Sequence, residues 1–135
     1  MGYRSIFTPG LFRDQVALVT GGGSGIGRCT AHELAALGAT VVLLGRTPEK
    51  LDAVAAEISK SGGRAYAYPC NIRDEVAVVA TIANIVDTHG RIDALVNNAG
   101  GQFPSPLKDI SCKGWEAVLQ TNLTGGFLMA RECLK

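Results

Sequence analysis

Charge, histidine and well-spaced cysteine are all scarce in this chain, and each shortage removes a class of function. A formal net charge of +1 gives no electrostatic case for binding nucleic acid or an anionic membrane surface. The four cysteines, Cys29, Cys70, Cys112 and Cys133, lie far apart and form no C-x-x-C pair. Such spacing fits scattered thiols of a reduced cytoplasm better than a disulfide framework. His32 and His89 are the only histidines, and no His/Cys/carboxylate cluster suggests a metal. Each sits in a helical segment close to a glycine, where it reads as a helix-dipole partner or a surface residue. The apolar stretches are only a handful of residues long, too short to span a bilayer. Residues 1–15 carry Arg4, Pro9, Arg13 and Asp14 and lack the apolar centre of a secretory signal, so a cytoplasmic protein is expected. There is no internal repeat and no low-complexity tract.

What is present is an alternation of short apolar runs and helical segments over a length that suits one domain, 135 residues with 47% apolar content. Val16–Thr20 reads as a first strand and Gly25–Leu37 as a helix closed by Gly38. Ala39–Gly45 is a β-branched run suited to a strand buried on both faces. Thr47 and Pro48 supply an N-cap and a first helical residue, and Leu51, Val54, Ala55 and Ile58 make one apolar helix face. Ser61-Gly62-Gly63 ends that helix. Arg64–Cys70 follows as an alternating strand. Asp74–His89 reads as a helix with Val76, Val79, Ile82, Ala83 and Val86 on its buried side, closed by Gly90. Ile92–Val96 is the fourth strand. A loop with Pro104 and Pro106 leads to Ser111, which caps a helix through Trp115, Val118 and Leu119 that runs on into 123–135. Strand–helix alternation of this kind predicts an α/β fold, a doubly wound parallel sheet of Rossmann type with about four strands and flanking helices. The chain stops in the middle of the last helical pattern, and Ile92–Val96 has no following strand to pair with. It is therefore expected to be the first part of a larger fold, with residues 1–15 as a leader and 16–135 as the dinucleotide-binding portion.

The most telling segment is Thr20-Gly21-Gly22-Gly23-Ser24-Gly25-Ile26-Gly27, placed between the first strand and the first helix. Glycines against a helix N-terminus expose N–H groups toward an anion and let it come close, which suits a pyrophosphate. The spacing G-x-x-x-G-x-G departs from the G-x-G-x-x-G fingerprint of other dinucleotide domains. In this reading Gly21 makes the turn, Gly25 allows close approach, Gly27 permits helix–strand packing, and Gly22 and Gly23 supply only turn flexibility. At the end of the second strand an NAD site would carry a carboxylate for the ribose hydroxyls. Gly45-Arg46 stands there instead. The Arg46 guanidinium can pair with a 2′-phosphate, so NADP(H) is the expected cofactor; the alternative is a solvated surface arginine.

Three ordered motifs, Thr20-Gly21-x-x-x-Gly25-x-Gly27, Asn97-Asn98-Ala99-Gly100 and Asn122, resemble the short-chain dehydrogenase/reductase family over about Asp14 to Lys135. Cys70-Asn71-Ile72-Arg73, Gly100-Gly101-Gln102-Phe103-x-Ser105-Pro106, Ile110-Ser111-x-Lys113-Gly114-Trp115, Thr121-Asn122-Leu123-Thr124-Gly125 and the leader Ser5-Ile6-Phe7-Thr8-Pro9-Gly10-Leu11 are similar to its peroxisomal trans-2-enoyl-CoA reductase branch. Ala99 departs from that branch, which tends to have glycine there.

The resemblance implies that Gly21, Gly25 and Gly27 line the cofactor pyrophosphate, with Ser24 and Ile26 nearby. Asn71, where the family commonly has aspartate, would lie near the adenine, and Ile72 would pack on the base. Asn97, Ala99 and Gly100 would line the cofactor beyond the fourth strand; a plain strand-ending turn is the rival reading for Asn97 and Asn98. Asn122 would belong to the family's Asn-Ser-Tyr-Lys catalytic group and hold a proton-relaying water, or else it only kinks its helix. The family's serine and Tyr-x-x-x-Lys are absent, and Tyr3, Tyr66 and Tyr68 have no lysine four residues on. Gln102 and Phe103 border a substrate pocket or are simply loop residues. The expected activity is hydride transfer between NADP(H) and a small molecule, either a carbonyl or alcohol or an enoyl thioester such as an acyl-CoA. The alternatives are an alcohol or ketone dehydrogenase acting on an apolar substrate, or a non-catalytic nucleotide-binding module. The family also implies a homodimer or homotetramer with the helix near Asn122 at an interface. A peroxisomal address would sit at a C-terminus beyond this chain.

Overall fold

The computed structural model describes residues 4–135. Tyr3 and the start of the leader lie outside the described residues. Strands β1 (Val16–Thr20), β2 (Thr40–Gly45), β3 (Arg64–Pro69) and β4 (Ala94–Val96) form one parallel sheet in the order β3-β2-β1-β4. Helices α1 (Gly25–Ala36), α2 (Pro48–Lys60) and α3 (Glu75–His89) alternate with them. After β4 come a 3-10 turn (Leu107–Asp109), α4 (Cys112–Leu119), a π turn (Gln120–Thr124) and α5 (Gly125–Cys133).

The period-2 alternation of β1 and β2 builds two cores. Val16, Leu18, Val42 and Leu44 face α3 and α5, packing with Val78, Ile82, Ile85, Leu128 and Met129. Ala17, Val19, Val41 and Leu43 face α1 and α2, packing with Ala31, Ala35, Leu51, Val54 and Ile58. Because both faces are covered, Val41–Leu44 is fully buried, as its β-branched composition predicts. Each fully buried aliphatic side chain contributes roughly 1.5–3 kcal/mol. Strand order reverses between β1 and β4, the place where open α/β sheets bind ligands.

Several details differ from expectation. β4 begins at Ala94, not Ile92: the Asp93 N–H still bonds the Val16 carbonyl, but the Asp93 carboxylate turns to take the Val16 N–H at 2.8 Å. Hydrogen bonds from the Arg91 guanidinium and then from Val16 hold that carboxyl below the usual range. Thr47 is the N-cap of α2 by position, yet its side chain makes no cap bond, whereas Asp74 and Ser111 cap α3 and α4 through Ala77 and Gly114. His32 sits 3.0 Å from Glu57, and His89 meets the Tyr68 hydroxyl at 3.1 Å.

Of the α3 residues expected inside, Ile82 is buried, but the face is rotated from the one the sequence suggests. Val78 and Ile85 join Ile82 inside, while Val76, Val79, Ala83 and Val86 are exposed. The helix carries two apolar stripes, and the one with the isoleucines takes the core. Its other stripe, of valine and alanine, is left outside. Among the described residues no helix is long and apolar enough to cross a membrane. Ile85→Ala is expected to cost about 2–5 kcal/mol, whereas Val86→Thr stays within about 0.5 kcal/mol. Urea unfolding of the two variants checks the assignment, and equal losses would reverse it.

Candidate functional site

A cleft of about 480 Å³ opens at the carboxyl ends of the strands, above the switch between β1 and β4. Its floor is the glycine turn. Gly21 has φ +66°, and a Cβ there would lie 2.8 Å from the Asn98 amide nitrogen and 3.1 Å from the Ala99 Cα. Gly25 has φ +53° and open space beside it, so the cleft comes down to bare backbone. Ser24 is the N-cap of α1 but makes no side-chain cap bond. The first-turn N–H groups of α1 are therefore not capped by it and are available to an anion. Ile26 also lines the cleft and is 78% exposed.

Gly27 does not reach the cleft. A Cβ there would be 2.3 Å from the Gly21 carbonyl oxygen and 2.5 Å from Asn98 Nδ2, so its role is to let α1 press against the turn. Gly22 and Gly23 are not merely flexible, which corrects the sequence expectation. Neither has positive φ; a Cβ on Gly22 would strike Leu43 Cδ2 at 2.8 Å, and one on Gly23 would meet Lys50 Cβ at 3.0 Å. The turn is sandwiched between β2 and the first turn of α2, and a larger residue at either glycine would require Leu43 or the start of α2 to shift.

The walls carry the other expected residues. Gly45 and Arg46 stand at the end of β2, and Asn71 and Ile72 beside them after the neighbouring β3, where the Cys70 N–H bonds the Gly45 carbonyl at 2.8 Å. Asn71 Oδ1 accepts the Arg73 N–H at 3.3 Å. Ile72 borders the cleft, but its side chain is only 6% exposed and belongs to the α3/α5 core. A Cβ on Gly125 would touch its Cδ1 at 2.7 Å. Packing beneath the sheet end is thus its main contact. Cys70, also at the cleft, has its thiol pushed up by burial and carries no charge into the site at neutral pH. Two cations that the sequence reading did not single out, Lys50 and Arg73, share these walls with Arg46. No side-chain ion pair involves any of the three among the described residues.

Beyond β4 the asparagines divide the work. Asn98, absent from the expected site, is the central tie. Its Nδ2 donates to the Thr20 carbonyl at 2.9 Å, and its N–H donates to Thr20 Oγ1 at 3.0 Å. Thr20, fully buried, accepts the Ala99 N–H as well and donates its hydroxyl proton to the Val96 carbonyl. The sequence signals for this knot were Thr20, a polar residue ending an otherwise apolar strand, and Asn98 within the Asn97-Asn98-Ala99-Gly100 motif. Ala99 and Gly100 line the cleft; Asn97 instead donates to the Gly126 carbonyl at 3.2 Å. Asn122 holds residue Gly101 at two points: Oδ1 accepts the Gly101 N–H at 2.8 Å and Nδ2 donates to the Gly101 carbonyl at 2.7 Å. The turn that carries it is π-helical, with the Gly125 N–H bonded to the Gln120 carbonyl. Such turns recur at functional sites. Phe103 packs on Gly114 of α4, and neither it nor Gln102 lines the cleft.

The family profile described as short chain dehydrogenase matches residues 15–135. The chain belongs to the short-chain dehydrogenase family. It is 61% identical to the citronellol catabolism dehydrogenase of Pseudomonas aeruginosa PAO1, with a TM-score of 0.94 over 98% of this chain and 54% of that one. A metagenomic short-chain oxidoreductase solved in complex with NADP is 42% identical, with a TM-score of 0.85 over 90% of this chain and 55% of that one. The peroxisomal 2,4-dienoyl-CoA reductase of Danio rerio is 35% identical over 93% of this chain and 42% of its own length. The chain spans about half the length of the curated relatives it matches. Members of this family are oxidoreductases that use a nicotinamide cofactor, and the cleft offers what such a cofactor requires: a bare turn and an uncapped helix end.

Gly27→Ala forces a Cβ into the Gly21 carbonyl, so it is expected to abolish nicotinamide-cofactor binding by calorimetric titration. A variant that binds as tightly as the parent would show that α1 can retreat from the turn.

Proposed function

We propose that this chain forms the cofactor-binding half of an NADP(H)-dependent reductase or dehydrogenase. The observation that carries the cofactor choice is Arg46 at the end of β2, lining the cleft where an NAD site would place a carboxylate. Gly21, Ser24, Gly25, Ile26 and the N-terminus of α1 would hold the pyrophosphate, with Gly27 setting how closely the helix approaches. Arg46 would take the 2′-phosphate through charge-assisted bonds. Asn71 would face the adenine, with Ile72 supporting that wall from below. Ala99 and Gly100 would border the nicotinamide half, with Asn97 anchoring their loop to Gly126. The bound cofactor supplies or accepts the hydride. Asn122, by holding the Gly101 peptide, would fix the loop against which the nicotinamide rests. No tyrosine of this chain has a lysine four residues on, so the proton-transferring groups are assigned to the remainder of the whole protein.

For the substrate, likeness to a dienoyl-CoA reductase supports an enoyl thioester, and an acyl-CoA is the form we favour. The higher identity to a citronellol catabolism dehydrogenase favours the second reading, an alcohol or carbonyl on an apolar skeleton. The four free thiols suit a reducing, cytoplasmic setting.

A second copy of the chain is the proposed partner. Trp115, Leu119, Leu123 and Phe127 recur every four residues along α4 and α5 and are all exposed, a stripe that apolar contact would bury. Replacing Phe127, 57% exposed, with glutamate should shift the oligomer toward monomer by light scattering; a monomeric parent protein would remove this part of the proposal.

The cofactor assignment is tested by titrating NADPH and NADH separately. The parent protein should prefer NADPH, and Arg46→Ala should loosen NADPH by roughly tenfold while leaving NADH nearly unchanged. Equal affinities in the parent would overturn it.

A further inference from the structure

Lys50 is a cation in a place where a helix does not favour one. It is the third residue of α2, in the first turn, where the positive end of the helix dipole repels a positive side chain. Its neighbours fix where it stands. A Cβ on Gly23 would meet Lys50 Cβ at 3.0 Å, and one on Gly45 would meet Leu51 Cδ2 at 3.2 Å. Lys50 thus stems from the point where the pyrophosphate turn and the end of β2 come together, and it lines the same cleft as Arg46 and Ser24. No carboxylate pairs with it among the described residues.

We propose that Lys50 is a second specificity-determining cation, acting with Arg46 on the 2′-phosphate of the cofactor. The assignment rests on the NADP(H) reading above. If the pyrophosphate lies on the turn and the adenine near Asn71, the adenosine ribose must cross the end of β2. Its 2′ substituent then lies between the turn and Arg46, which is where Lys50 emerges. A phosphate there relieves the repulsion between the ammonium and the helix end and is attracted by both. A free ribose hydroxyl offers no such compensation, so the lysine separates the two cofactors by charge. Arg46 contributes a planar fork and Lys50 a mobile point charge, and the two can engage different oxygens of one phosphate. Arg73 lines the same cleft from the β3–α3 connection, where its N–H bonds the Asn71 side chain, and is not assigned to this pair.

The test uses the full chain with Lys50→Gln and Lys50→Arg, titrated with NADPH and with NADH at two salt concentrations. Lys50 is exposed, so both variants should fold like the parent, which circular dichroism checks. Lys50→Gln should weaken NADPH by about three- to tenfold with NADH nearly unchanged. Its NADPH affinity should also fall less steeply with salt, and Lys50→Arg should restore most of the preference. If the parent fails to prefer NADPH, the cofactor reading fails and this proposal with it. If the parent prefers NADPH and Arg46→Ala removes the preference while Lys50→Gln leaves it intact, the Lys50 assignment alone is overturned. Equal weakening of both cofactors by Lys50→Gln would place the ammonium on the pyrophosphate and overturn it as well.

Discussion

The site depends on one buried hydrogen-bond knot between the ends of β1 and β4. Thr20 stands fully buried at the last position of β1 and uses its hydroxyl three times, toward Val96, Asn98 and Ala99. Asn98 answers by donating its amide to the Thr20 backbone. Left unpaired, the buried Thr20 hydroxyl would cost about 1–3 kcal/mol, whereas Asn98 is only half-buried. With both satisfied, the strand ends are locked in register and the chain beyond each is aimed. On one side it turns through Gly21 into α1; on the other it runs through Ala99 and Gly100 over the cleft. Asn98 also fills the space that a side chain on Gly27 would need, so the same knot sets the distance of α1 from the turn. Two walls of the cleft and its floor are thereby positioned by two polar side chains.

That dependence explains what could and could not be read in advance. The strands were legible because a sheet covered on both faces demands continuous apolar runs, and Val16–Thr20 and the run ending at Gly45 meet that demand. The glycine turn was legible as an anion seat because its neighbours are a strand and a helix. What it lies against was not legible. Gly22 is small because Leu43 crosses beneath it, and Gly23 because Lys50 packs upon it; neither contact is local in sequence. The face of α3 was misread because both of its stripes are apolar, so periodicity alone cannot choose. The choice falls to the stripe that continues to His89, whose ring meets Tyr68 of β3. Ile72 was expected on the base, yet a glycine fifty-three residues later, Gly125, leaves a hole beneath the sheet end that its side chain fills.

Charge at the cleft follows from the same geometry. The three cations lining it come from the ends of β2 and β3 and from the first turn of α2, all on the half away from Asn97–Gly100. The other half is lined by backbone and small residues. A polar, anion-seeking end and a quiet, close-fitting end suit a ligand that is highly charged along one portion and nearly neutral along the other. A nicotinamide cofactor has that shape of charge. The asymmetry needs no acidic counterpart within the cleft, because cations at its rim remain solvated until an anion arrives.

Asn122 is where the geometry adds most to the role that resemblance suggests. Its amide bonds Gly101 at both atoms, at 2.7 and 2.8 Å. One N–H and one acceptor lone pair of the exposed amide are left over for water. Residue Gly101 offers one donor and one acceptor from two successive peptide groups, and a side-chain amide of Asn or Gln can answer both. The π turn explains how the side chain gets there: a five-residue loop of backbone widens the helix at Asn122 and lets it reach across to residue 101. Asn122 thereby ties the π turn to the loop that follows β4. The widening of the helix and the polar tie are one device: the π turn brings the amide to the place where it can hold the loop.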